Sequence, residues 1–291
     1  MADTQVAIVT GASTGFGRET AEIFARSGYR VYGTVREAAG RNASNVAGLT
    51  AAGVTAVEMD VTEQASVDAA AARILGEAGR VDVLVNNAGN AYFGVAEAFT
   101  PEAVERQFAT NVFGPLRVNR AFLPSMRERR AGLVVYVSSV VGRLVFPYSG
   151  PYTASKWALE ALAEAASYEL RPLGIDVAIV QPGAFATNIN NVMVGPDDAA
   201  RSEAYGELPK TIQQAMFGAL TQSTAGRKAS DVAELILSLA HRPAGTRPLR
   251  TSIPNDPGVE TLNATAAHVQ TELMTAMGMG ALLPADPVLA S

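Results

Sequence analysis

Short runs of β-branched and other apolar residues alternate with longer alanine-rich stretches along most of this chain. Short apolar runs bounded by Gly, Asn and Asp read as buried strands, and the stretches between them read as helices. Strands are predicted at 6–10, 30–35, 55–59, 81–86, 132–138 and 176–181, with a seventh at 247–253. Helices are predicted at 17–26, 64–77, 102–129 and 155–171. Repeated strand–helix–strand units with right-handed crossovers make an α/β, doubly wound parallel sheet with helices on both faces.

No Pro/Gly/Ser-rich linker or charge run divides the 291 residues, so one domain spanning 1–291 is expected. Residues 184–226 break the alternation with Asn, Gly, Pro and Met among short helical pieces. A stretch of that length reads as a substrate lid rather than a linker. Residues 253–291 read as a C-terminal extension that packs over the pocket or mediates association.

Composition removes several alternatives. The chain has no cysteine, which excludes disulfides and thiolate chemistry, and its two histidines stand in no metal-ligand spacing, so no metal site is expected. A net charge of −5 speaks against a nucleic-acid or anionic-membrane partner. No apolar stretch reaches transmembrane length and the start lacks a signal-like core, so a cytoplasmic protein is expected.

The chemistry clusters at strand ends. Gly11, Ser13, Thr14, Gly15, Phe16 and Gly17 follow the first strand and open a helix. Glycines there let the backbone approach a pyrophosphate, and the helix N-terminus offers free N–H groups. The second strand ends Val35-Arg36, with an apolar residue where an NAD site places a carboxylate and a cation next to it. That pair points to the 2′-phosphate of NADP(H), with Ser13 a second ligand. Tyr152 and Lys156 lie four apart, hence on one side of a helix, where an ammonium would lower the phenol pKa toward the working pH. Ser138 and Ser139 end the fifth strand. Asn111 lies four residues before Pro115, whose missing N–H frees the Asn111 carbonyl to hold a water.

Taken in order, these motifs resemble the short-chain dehydrogenase/reductase family. The glycine loop 11–17, Asn86-Asn87-Ala88-Gly89, Tyr152-x-x-x-Lys156 and Pro182-Gly183 carry the resemblance, and Ser139 precedes Tyr152 by the family's thirteen positions. The resemblance implies a Rossmann-type fold and a hydride passed between nicotinamide and a carbonyl or secondary alcohol. It implies Tyr152, Lys156, Ser139 and Asn111 as the catalytic set. It also implies that Asp60 and Val61 contact the adenine, that Asn87, Ala88 and Gly89 line its ribose, and that Pro182, Gly183 and Thr187 hold the nicotinamide. Lys156 would hold the nicotinamide ribose, and the chain would assemble as a homo-oligomer, a dimer or tetramer.

Tyr92, Phe93, Leu144, Phe146, Tyr148, Phe185, Met193, Met216 and Phe217 are candidate walls of a pocket for a small, hydrophobic ketone. Two other readings stand beside a carbonyl reductase. Arg127, Arg129 and Arg130 could receive an acidic carrier protein, as a β-ketoacyl-carrier-protein reductase would need. A non-catalytic NADP-binding regulator could also use this fold.

Overall fold

The computed structural model describes residues 4–185, 193–224 and 226–283. In chain order the elements are β1 Val6–Val9, α1 Gly15–Arg26, β2 Arg30–Val35, α2 Ala43–Ala51, β3 Thr55–Glu58, α3 Gln64–Ala78, β4 Val83–Asn86 and β5 Ala91–Tyr92. Then follow α4 Pro101–Phe108, α5 Gly114–Arg129, β6 Gly132–Val137, α6 Gly150–Leu170, β7 Ile175–Pro182 and β8 Met193–Val194. The chain closes with α7 Ala199–Ala204, α8 Leu208–Ser223, α9 Ala229–His241, β9 Arg250–Ile253 and α10 Pro257–Ala276.

Seven strands form one sheet in the order β3-β2-β1-β4-β6-β7-β9, and every pairing is parallel. A parallel sheet is covered on both faces, and its central strands show it: β1, β4 and β7 are buried at every position. Phe24, Leu49, Val232 and Ile236 from α1, α2 and α9 fill the core on one face. Ile74, Phe122, Met126 and Leu159 from α3, α5 and α6 fill the other. The order in which strands are added reverses between β1 and β4, so a crevice opens at the carboxyl ends of those parallel strands, where ligands bind in such sheets.

The single helix expected over 102–129 is instead two helices joined by a π-helical turn, Ala109–Phe113. Pro115 has no N–H for the turn before it, and the ladder widens there. Gly114 lets that turn press on Val61, since a Cβ would stand 2.9 Å from Val61 Cγ2. Outside the main sheet, β5 pairs in parallel with β8, which the sequence pattern did not reveal because each has two residues.

Candidate active site

The loop after β1 is held by its neighbour rather than by itself. Thr10 Oγ1 accepts from the N–H groups of Asn87 and Ala88 at 2.9 and 3.0 Å. Asn87 Nδ2 returns two donations, to the carbonyls of Thr10 at 2.8 Å and Gly11 at 3.2 Å. Gly11 has φ +65°, and a Cβ there would stand 2.9 Å from Ala88 Cα. A Cβ on Gly17 would overlap both Asn87 Nδ2 and the Gly11 carbonyl. Gly15, also left-handed, faces open space. The first turn of α1 carries no side-chain cap and no acidic residue, so its N–H groups remain available to an anion. This cradle fits a dinucleotide pyrophosphate. Phe16 in this loop packs edge-on against Phe185, with ring centroids 5.4 Å apart.

Val35 is buried while Arg36 is half-exposed, its Nη1 3.8 Å from Asp60 Oδ2. Asp60 Oδ1 is occupied by the N–H and hydroxyl of Thr62, at 2.9 and 2.8 Å. Thus Arg36 and Asp60 share one edge of the crevice, with Val61 beneath them packed on Gly114.

Across the crevice the structure brings together Ser139, Tyr152, Lys156 and Asn111. Ser139 Oγ donates to the Pro182 carbonyl at 3.3 Å and accepts from the Val141 N–H at 3.3 Å. Its hydroxyl also faces the Tyr152 phenol, where it favours the phenolate. Lys156 is buried, donates to the Val137 carbonyl at 2.9 Å, and lies 5.9 Å from the Tyr152 ring centroid. Gly89 approaches the same ammonium, 3.8 Å from where its Cβ would be. Asn111 is bonded on both sides of its amide: Oδ1 accepts from the Asn90 N–H at 3.0 Å, and Nδ2 donates to the Asn90 carbonyl and to Ser155 Oγ. Ser155 in turn donates to the Tyr152 carbonyl at 2.7 Å, so the π-turn is bolted to α6 beside the tyrosine. Ser155 and Asn90 were absent from the sequence-derived set, because their role exists only once these segments meet.

The Tyr152 phenol is raised rather than lowered, and the cause is burial and not Lys156. Burial pushes the phenol up to about 12, and the Ser139 hydrogen bond opposes this without overcoming it. Burial also pushes the Lys156 ammonium down to about 8, against the pull of Glu160. Lys156 donates to the Val137 carbonyl, and loss of water is the largest influence on the phenol. A protonated Tyr152 is a proton donor, which suits reduction.

Pro182 ends β7 at the same edge and Gly183 follows it, the Gly183 N–H donating to the Ile253 carbonyl at 2.8 Å. Thr187 lies outside the described residues. Of the candidate walls, Phe93 packs against Tyr152 with centroids 5.6 Å apart, and it borders a cavity of about 480 Å³ together with Met193 and Pro196. The cavity also takes Glu203, Glu207 and Lys210, so its lining is more polar than expected. Tyr92 is not a wall: it is buried against Phe99. Phe185 is committed to Phe16, and the side chains of Met216 and Phe217 fall outside the description. Phe146 is exposed, Leu144 is half-buried, and Tyr148 holds a left-handed backbone at φ +60° with its carbonyl accepting from the Gly94 N–H. Segment 193–205 is docked on loop 91–100: Asp197 accepts from the N–H and hydroxyl of Thr100, and Tyr205 donates to Glu97 at 2.7 Å.

Arg129 points inward, to Asp82 and the Val81 carbonyl, and Arg130 donates to the Pro172 carbonyl at 2.5 Å. The expected basic cluster is therefore largely committed within the chain. Among the described residues no group of His, Asp and Glu could hold a metal ion, and no helix is long and apolar enough to cross a membrane.

Comparison with known proteins agrees with this geometry. Residues 5–195 match the family model described as short chain dehydrogenase. A 3-ketodihydrosphingosine reductase of Bacteroides thetaiotaomicron is 41% identical over 187 residues, 64% of this chain and 66% of that protein. A short-chain dehydrogenase from Streptomyces avermitilis superimposes with a TM-score of 0.77 at 35% identity, over 96% of this chain and 99% of its own. A metagenomic short-chain oxidoreductase solved in complex with NADP gives a TM-score of 0.66 at 27% identity, covering 85% of this chain and 95% of its own. One from Burkholderia phymatum solved in complex with NAD gives 0.74 at 28% identity, covering 98% of both chains. The sheet order, the strand-end motifs and these matches lead to one conclusion: the chain is an oxidoreductase of the short-chain dehydrogenase/reductase family, which uses a nicotinamide cofactor.

Proposed function

We propose that this protein is an NADP(H)-dependent carbonyl reductase, converting a small ketone to its secondary alcohol. The observation that carries the reading is the meeting of Ser139, a protonated Tyr152 and a buried Lys156 at the carboxyl edge of the sheet. Tyr152 donates its proton to the substrate oxygen. Ser139 holds that oxygen by its hydroxyl as negative charge develops. Lys156 holds the nicotinamide ribose, and the protonated ammonium restrains the phenolate left behind. The bound cofactor supplies the hydride.

The glycine cradle, Asp60, Val61, Asn87, Ala88 and Gly89 hold the adenosine half, and Pro182, Gly183 and Thr187 hold the nicotinamide half. Arg36, with no carboxylate at Val35, supports the 2′-phosphate and hence NADP(H) over NAD(H). Asn111 ties the site together, and residues 184–226 form the lid over the substrate. A ketone with an apolar body against Phe93 and Met193 and a polar far end toward Glu203 or Lys210 fits the cavity lining. The reading places the enzyme in the cytoplasm, as a homo-oligomer of one domain per chain.

The committed contacts of Arg129 and Arg130 weigh against a carrier-protein substrate, and the filled set of four weighs against a non-catalytic regulator. The test is a ketone panel with NADPH, followed by nicotinamide absorbance, on the wild type and on Tyr152→Phe. Loss of at least a hundredfold in kcat is expected for the variant; turnover as fast as wild type would refute the assignment.

A further inference from the structure

Glu160 is the buried charge that this chemistry leaves unexplained. It stands one helical turn beyond Lys156 on α6, with 2% of its surface exposed. Its Oε1 accepts from Ser138 Oγ at 2.7 Å and from Gln181 Nε2 at 2.9 Å. Its Oε2 accepts from Arg250 Nε at 2.9 Å and lies 3.7 Å from Arg143 Nε. Ser138 is the residue before Ser139, and Gln181 is the residue before Pro182, whose carbonyl receives the Ser139 hydroxyl. One carboxylate therefore grips both strand ends that flank the candidate catalytic serine.

The backbone is shaped around this carboxylate. A Cβ on Gly142 would overlap Glu160 Oε1 and stand 2.8 Å from Ser138 Oγ, so the turn after Ser139 closes directly on the pair. The grip also reaches the C-terminal segment. Arg250 on β9 bridges Glu160 and Glu164, and Asn263 on α10 accepts from Arg143 at 3.0 Å and donates to Gln181 Oε1 at 2.7 Å. Apolar residues of similar volume would serve stability as well as a buried ion pair.

We propose that Glu160 is a positioning residue for the Ser139 hydroxyl and for the turn at Pro182 and Gly183, and that Arg250 and Asn263 tie that setting to helix α10. The inference rests on the catalytic reading of Ser139, Tyr152 and Lys156 given above. Around Lys156 the titratable groups are Tyr152 and Glu160 on its own helix, with the Val137 carbonyl from β6. Around Glu160 they are Arg143 from the turn after β6, Arg250 from β9 and Glu164 from α6.

The experiment compares Glu160→Gln, Ser138→Ala, the two combined, and Tyr152→Phe, using NADPH and the ketone that the wild type reduces fastest. A misplaced hydroxyl lowers turnover more than binding, so kcat should fall about tenfold in Glu160→Gln while the NADPH Kd stays within about threefold. Ser138→Ala should fall in the same direction, and the double variant should be no worse than Glu160→Gln, because both act through one contact. Loss of the carboxylate also removes its support of the Lys156 ammonium, so the alkaline limb of kcat should move to lower pH, which a purely structural role would not produce. If Glu160→Gln does not fold, Glu160→Met with Arg250→Met removes both charges together, and kcat should remain depressed in the folded pair. A folded Glu160→Gln or Met pair with kcat within twofold of wild type and an unmoved limb overturns the proposal, while Tyr152→Phe still inactive leaves the catalytic reading standing. An active Tyr152→Phe removes that reading, and the proposal with it.

Discussion

The Lys156 ammonium lies 5.9 Å from the centre of the Tyr152 ring and donates a hydrogen bond to the Val137 carbonyl. The pair is thus a half-buried phenol beside a buried ammonium, each pushed toward its neutral form by loss of water. That arrangement has consequences for pH and for stability.

For activity, the buried ammonium deprotonates near pH 8 rather than at the 10.5 of a free lysine. Carbonyl reduction should therefore decline through an alkaline limb near that pH. Rates of NADPH oxidation measured from pH 6 to 10 check this, and a flat profile to pH 10 would contradict it.

For stability, the sign follows from the lowered lysine. Below about pH 8 both folded and unfolded chains carry the proton, and the folded state bears the full cost of a buried ammonium. The cost fades as pH rises from about 8 to 10.5, where only the unfolded chain still binds the proton. Lys156→Met should abolish turnover yet stabilise the fold at pH 7 by up to about 3 kcal/mol, less what the Val137 hydrogen bond contributes. The gain in Tm over wild type should shrink toward pH 10.5. A gain that grows with pH would show that the lysine is not held this way.

Arg36 decides the cofactor in the reading above. Its Asp60 contact is long and half-exposed, so it leaves the guanidinium available to a phosphate. Arg36→Asp should raise the KM for NADPH about tenfold or more and leave that for NADH within about twofold. Equal changes for the two cofactors would remove the 2′-phosphate assignment.

Gly17 is where the glycine loop has no room. Its missing Cβ leaves space for the Asn87 amide and the Gly11 carbonyl, both of which hold the loop's shape. Gly17→Ala should weaken dinucleotide binding at least tenfold in a fluorescence titration, with a Tm loss of a few degrees. Gly76→Ala, which faces open space on α3, is the control and should leave binding unchanged.

Asn111 carries three side-chain hydrogen bonds in a buried position. Asn111→Ala leaves the Asn90 N–H and carbonyl without these partners and should destabilise by about 2 kcal/mol or more. Thermal unfolding checks it. A Tm equal to wild type would mean that these bonds are replaced by water.

The chain's own order of residues determined the strand–helix alternation, the parallel sheet and the places where chemistry gathers. Those features are local: a buried strand needs a few consecutive apolar residues, a phosphate turn needs glycines before a helix, and Tyr152 and Lys156 share a helix side through their spacing alone. Pro115 marked a lost N–H and a freed carbonyl in the residue itself, but the π-turn that splits the expected helix over 102–129 was not legible there.

Tertiary structure decided what those groups became. Whether Lys156 meets a phenol or a carbonyl depends on where β6 ends beside α6. Whether Tyr152 is made more or less acidic depends on how much water is excluded, which no spacing encodes. Tyr92 and Phe185 read as pocket walls until packing against Phe99 and Phe16 claimed them. The carboxylate of Glu160 finds Ser138, Gln181 and Arg250 only after three strands and a helix converge from up to 112 positions apart. Burial and long-range pairing are properties of the assembled sheet, and they set the charges on which the site depends.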